Sequence, residues 1–189
     1  MFRILLELGL VLSLHWGTAH STELQTIPTI HEKPKRIVAL SPLVAEWLSD
    51  LLGEKEALQR LVGTVEYSDY PASLKKIQRV GSYPKVDVEA ILRLKPDLIL
   101  ALDQTNRSDQ IEKMQRLRLP IQVLPREHFE KMGEWILKLG HLLKEPERGE
   151  ELKKRWDFEL ASMEPRLKSR IFVEVQSQPI VTIGGGSFM

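Results

Sequence analysis

Between Val80 and Ala101 the chain sets a loop, a capped helix and a buried strand end to end, an order that few folds accept. Ser82-Tyr83-Pro84 reads as a loop. Asp87 is placed to cap a helix whose apolar positions Val88, Ile91, Leu92 and Leu94 favour one face. Lys95-Pro96 stops that helix, because the proline ring disfavours helical backbone in the residue before it. The apolar run from Leu98 to Leu102 follows as a strand. A loop entering a helix at the mouth of a sheet is free to hold a ligand.

The same alternation recurs on both sides of this unit. A strand from Ile37 to Leu40 runs into Ser41-Pro42, a helix cap with proline just inside the first turn. Val44, Trp47, Leu48, Leu51 and Leu52 then sit at helical spacing, and Gly53 is placed to end the helix. A short helical turn is expected from Glu54 to Arg60, a small strand from Leu61 to Val65, and a loop from Glu66 to Pro71. Beyond the central unit come a helix from Ser108 to Leu117 and a strand from Ile121 to Leu124. Strands alternating with helices imply crossovers of one hand and a mostly parallel sheet covered on both faces, an α/β lobe over residues 36–126.

The rhythm changes after Pro125. Phe129, Met132, Ile136, Leu139 and Leu143 predict one helix, and Glu145-Pro146 opens a second, highly charged one to about Leu167. The second helix would be roughly 30 Å long, which suits a strut within a helical segment over residues 127–168. Arg170 to Val175 and Pro179 to Ile183 then read as strands, followed by a Gly184-Gly185-Gly186-Ser187 turn. Two strands without a helix cannot bury their faces, so residues 169–189 are expected to open a second α/β lobe truncated almost at once.

Composition narrows the partners. Lys and Arg number 27 against 26 Asp and Glu, so nothing suggests a basic groove for nucleic acid. Arg3, the apolar run from Ile4 to Trp16 and the small residues of Gly17-Thr18-Ala19 read as a secretory signal over residues 1–19, cut before a polar leader over residues 20–35. The run is too short to span a bilayer, so no membrane insertion of the mature chain is expected. With no cysteine there is no disulfide, thiolate metal site or lipidated cysteine, which points to a free extracytoplasmic protein in the periplasm.

Catalytic signatures are weak. A nucleotide-binding turn would put glycines after the first strand, where this chain has Ala39-Leu40-Ser41-Pro42. Gly184-Gly185-Gly186 lacks the rest of such a motif. His15, His20, His31, His128 and His141 are scattered without a carboxylate pattern for zinc. Neither a nucleophile elbow nor a cysteine nucleophile is present, so no catalytic residue, metal site or cofactor is assigned. The loop Glu66-Tyr67-Ser68-Asp69-Tyr70-Pro71 is different, because two tyrosines in a polar turn have no periodic reason to face a core. Tyrosine combines a rigid apolar face with one polar tip, which suits a large flat amphipathic ligand. Tyr67 is expected to face the ligand and Tyr70 to plug the loop from beneath. Tyr83 is a second ligand candidate.

With Ile37-Val38-Ala39-Leu40-Ser41-Pro42, Tyr67-Ser68-Asp69-Tyr70-Pro71 and the segment from Val80 to Ala101, the chain resembles the periplasmic binding proteins that serve importers of vitamin B12, haem and ferric siderophores, most of all the B12 binders. The resemblance covers the chain from about Lys35 onward. It implies two α/β lobes joined by one long helix, with the ligand between them, in a monomer that delivers its small-molecule ligand to an ABC importer permease. It implies ligand-binding roles for Pro42, Tyr67 and Tyr83, and a permease-docking role for Glu89, which also suits the positive end of a helix. Leu102 stands where the best-known B12 binder has tryptophan, and Val181 where the resemblance implies an aromatic residue. The expected ligand is a corrinoid such as cobalamin, with haem or a ferric siderophore as the alternative. An α/β enzyme of unknown reaction, or a noncatalytic interaction domain, are the readings of another class.

Overall fold

The first strand, β1 (Ile37–Ala39), is buried along its whole length, as a central strand covered on both faces must be. It sits in a computed structural model that describes residues 32–82, 85–103, 108–125, 131–162, 174–177 and 180–182, the last two stretches as backbone only. The signal over residues 1–19, Tyr83, Phe129, the end of the long helix beyond Ser162, the strand start at Arg170 and the glycine run Gly184-Gly185-Gly186 lie outside the described residues.

From β1 the chain enters α1 (Pro42–Leu52), where Ser41 Oγ accepts the Val44 amide and Pro42 occupies the first turn. Proline there removes only a donor that the helix could not have used. Next come α2 (Glu54–Arg60), β2 (Leu61–Thr64), a 3-10 turn (Ala72–Lys76), the short strands β3 (Gly81–Ser82) and β4 (Lys85–Val86), α3 (Val88–Arg93) and β5 (Leu98–Leu102). The chain continues through α4 (Ser108–Arg116), β6 (Ile121–Leu124), α5 (Met132–Leu143) and α6 (Pro146–Ser162). Last come β7 (Glu174–Ser177) and β8 (Ile180–Thr182), which pair antiparallel.

β2, β1, β5 and β6 form one sheet in that order, and every pairing is parallel. Side-chain alternation along the strands splits the interior into two layers. Ile37, Ala39, Leu98, Leu100 and Leu124 pack with α1, α5 and Leu152 of α6, whereas Val38, Leu40, Ile99 and Ala101 pack with α3 and with Met114 of α4. The step from β1 to β2 therefore carries its helices on one face. The steps from β2 to β5 and from β5 to β6 move the other way and carry theirs on the opposite face. All crossovers thus share one hand, as expected for a doubly wound sheet.

α6 spans 17 residues, about 25 Å. Its inner side lies on α5 through Gly140 and Gly149, where a Cβ on Gly140 would come within 2.8 Å of the Gly149 Cα. The two backbones approach so closely only because neither residue has a side chain. α5 ends at Lys144 in a left-handed conformation, and the Glu145 amide donates back to Gly140 O at 2.7 Å.

Candidate functional site

Parallel strands deliver the segments that follow them to one edge of the sheet. Here those segments are Leu40-Ser41-Pro42, the loop from Val65 to Pro71, Leu102-Asp103 and Pro125. The exit from β1 leads to α1 on one face, and the exit from β5 leads to α4 on the other. The strand order reverses between them, and a crevice at such a reversal is where open α/β sheets place ligands.

Pro42 borders this crevice, half-buried and fixed by the cap that starts α1. Leu102, the last residue of β5, lies at the same edge, also half-buried and packed on the first core layer. The Asp103 amide continues the ladder by donating to Leu124 O at 2.8 Å.

The Tyr67 loop is built in layers. Beside the last residues of β2, residues 78–81 run parallel: the Thr64 amide donates to Gln78 O, the Val80 amide to Thr64 O, and the Glu66 amide to Gly81 O. Beneath the loop Thr64 Oγ1 donates to Ser68 Oγ at 2.9 Å, and both residues are buried. Arg79 Nη2 donates to Ser68 O at 3.2 Å and to Asp69 Oδ1 at 3.0 Å. Tyr67 takes φ 66 between these ties. A left-handed backbone costs a residue with a Cβ roughly 1–2 kcal/mol, so the surrounding bonds must hold it. The residue is 77% exposed.

Tyr70 is 73% exposed, which corrects the expectation that it plugs the loop. The underside is filled instead by Ser68, which fits because its hydroxyl finds a partner in Thr64. The Tyr83 loop lies outside the described residues, but its approach is visible. Ser82 Oγ donates to Glu66 Oε2 at 2.7 Å, so the residues preceding Tyr67 and Tyr83 are tied together across 16 positions of sequence. Gly81, at φ 115, makes that approach: a Cβ there would meet the Asp87 amide nitrogen at 2.9 Å. From α4, Gln110 closes both backbone groups of Val86, donating to its carbonyl at 2.9 Å and accepting its amide at 3.0 Å.

Glu89 opens α3 after Asp87, whose side chain accepts the Ala90 amide at 3.0 Å. That bond holds the Asp87 carboxyl below its usual range. Glu89 is exposed and accepts from Lys113 Nζ at 2.7 Å, and this partner holds the Glu89 carboxyl low as well. Pro42 and Tyr67 thus gather at the C-terminal edge of the sheet, while Glu89 sits on the outer surface of α3.

Sequence reading missed Arg79, Ser68, Glu66 and Ser82. The available signal was a serine and an aspartate just after a strand, with an isolated arginine in the next extended stretch. A cavity of about 160 Å³ lies elsewhere, between α1, α5 and α6, lined by Trp47, Ile136, Leu152 and Trp156. Pockets for drug-sized ligands are typically about 300–1,000 Å³, so it is too small for a macrocycle. Among the described residues no group of three or more His, Asp or Glu side chains is arranged to hold a metal, and no helix is long and apolar enough to cross a membrane.

A family model described as periplasmic binding protein matches residues 37–189. A vitamin B12-binding protein of Yersinia pestis (strain Pestoides F) is 30% identical over 167 residues, covering 86% of this chain and 57% of the relative. One from Vibrio vulnificus (strain YJ016) is 28% identical over 170 residues, covering 87% and 59%. The chain thus spans 57–59% of the length of these relatives. Among solved structures, the periplasmic vitamin B12 binding protein BtuF of Vibrio cholerae superposes with a TM-score of 0.68 at 28% identity, over 80% of this chain and 59% of that one. A periplasmic heme binding protein from Pseudomonas aeruginosa gives 0.61 at 25% identity, over 68% and 45%.

Proposed function

The chain belongs to the periplasmic binding protein family, and on that premise we propose that it acts outside the cytoplasm to capture a corrinoid and hand it to the permease of an ATP-driven importer. The observation that carries this reading is the Tyr67 ring, exposed on a pinned loop at the sheet edge where Pro42 and Leu102 border the crevice. A rigid aromatic face costs little conformational entropy on binding and suits a flat macrocycle with polar margins. The relatives named for vitamin B12 favour a corrinoid within the family. Capture needs no bond to be made or broken: apolar contact supplies affinity, and a few polar groups set orientation. Tyr83, in the loop tied to Tyr67 through Ser82 and Glu66, is assigned a second ring contact.

Haem is the second reading, favoured by the likeness to the Pseudomonas aeruginosa heme binding protein. A ferric siderophore belongs to the same alternative. Equilibrium dialysis of the chain against cyanocobalamin, haemin and a ferric siderophore, read by visible absorbance, tests the choice. Preferential retention of cyanocobalamin supports the reading, preference for haemin replaces it, and retention of none even with the second lobe restored removes it.

Glu89 is assigned to the permease surface, where its exposed carboxylate, paired in this chain with Lys113, is to meet cationic side chains of the permease. Glu89→Arg is then expected to leave ligand affinity unchanged and to reduce uptake sharply through like-charge repulsion. Normal uptake would take Glu89 out of that surface.

A further inference from the structure

Arg79 joins the sheet edge to the turn that carries Tyr67. Its backbone is fixed at the sheet edge, because the residues on either side of it exchange hydrogen bonds with Thr64, both at 2.9 Å. One guanidinium nitrogen, Nη2, serves both Ser68 O and Asp69 Oδ1.

The two acceptors that Arg79 holds belong to the residues immediately after Tyr67. Thr64 and Ser68 add a buried hydroxyl bond beneath them. Released from these ties, a tyrosine at φ 66 would relax toward negative φ and swing its ring away from its present direction. We infer that Arg79 is a positioning residue for the ligand platform: it locks the turn after Tyr67 to a rigid strand edge, so that the ring is presented at a fixed angle before the ligand arrives. Arginine suits this task because its planar fork aims donors from a fixed plane, which a flexible lysine ammonium does not do. The inference rests on the reading of Tyr67 as a ligand contact.

The test uses the whole chain. Arg79→Met and Arg79→Lys are prepared with Tyr67 intact and with Tyr67→Ala, and each is dialysed against cyanocobalamin. With Tyr67 present, Arg79→Met is expected to weaken retention about tenfold and Arg79→Lys by less. In the Tyr67→Ala background the same changes are expected to matter less than about twofold, since no ring is left to position. Equal losses in both backgrounds would overturn the inference. Hydrogen exchange over residues 66–71 without ligand provides an independent arm: Arg79→Met should speed it at least about tenfold, and unchanged exchange would overturn the clamp. Should Arg79→Met fail to fold, Asp69→Asn weakens only the side-chain half of the clamp. It should show a smaller loss with the same dependence on Tyr67, and a loss independent of Tyr67 would count against the proposal. If Tyr67→Ala alone binds as the unaltered chain does, the reading of Tyr67 fails, and the exchange arm still decides whether Arg79 holds the loop.

Discussion

The two ends of the sheet are treated in opposite ways. At the end where the strands begin, charged side chains tie down the edge, Arg60 from a buried position and Asp97, Arg36 and Lys33 from exposed ones. Arg60, 6% exposed, donates to Pro34 O, Leu143 O and Glu56, while Asp97 accepts the Lys35 and Arg36 amides at 2.7 and 2.8 Å. Arg36 in turn donates to Leu94 O, which the end of α3 leaves available, and Lys33 bridges Glu56 and Glu145. At the end where the strands finish, the bonds run beneath the loops and hold an exposed ring outward. The difference teaches that polar side chains can serve closure or presentation, and that the direction in which they donate distinguishes the two.

If that contrast holds, the largest effect belongs to the closed end. Arg60→Met leaves the Pro34 and Leu143 carbonyls without their donor and Glu145 with one cation fewer, and should cost about 2–3 kcal/mol in urea unfolding. A loss under about 0.5 kcal/mol would break the comparison. Asp97→Ala follows, with about 1–2 kcal/mol for two backbone donors returned to solvent, and no change in cyanocobalamin retention.

At the open end the sign of the experiment reverses. Tyr67→Ala should weaken cyanocobalamin retention about tenfold, or ~1.4 kcal/mol, while stability stays within about 0.5 kcal/mol, because alanine keeps the Cβ and with it the left-handed cost. A large stability loss with unchanged retention would make Tyr67 a packing residue.

The smallest effect sharpens the α3 start. The Asp87 carboxyl is held low by the Ala90 amide it accepts, so its contribution is present above its unfolded pKa and lost as pH falls through the folded value. Asp87→Asn keeps the cap but cannot titrate. The small stability difference between the two proteins at neutral pH should therefore begin to shrink as pH falls below about 4 and vanish only below the folded pKa, in chemical unfolding at a series of pH values, and a difference independent of pH would assign the cap to geometry alone.

Much of this fold was legible where local chemistry and tertiary demand agree. Ser41-Pro42 and Asp87 cap their helices as their residue types require, and Lys95-Pro96 ends α3 ahead of the strand it precedes. β2 closes one residue earlier than its apolar run, because Val65 is buried by the second core layer rather than by strand pairing. The β3–β4 pair and residues 78–81 beside β2 were not legible, since two-residue strands carry no period and their partners lie far along the chain. The site was half legible. A pair of tyrosines in a polar turn marks a surface, but that neither of them packs beneath it follows from the buried Thr64–Ser68 hydroxyl bond, and no local pattern announces that bond.

The central claim is that ligand meets the end of the sheet where the strands finish and leaves the closed end untouched. Hydrogen exchange of the chain with and without saturating cyanocobalamin tests it most directly. The account predicts slowed exchange over residues 41–44 and 65–71 and at Asp103, with no change at Arg36, Arg60, Asp97 or residues 143–145. Protection at the closed end, or none at the loops, would contradict it.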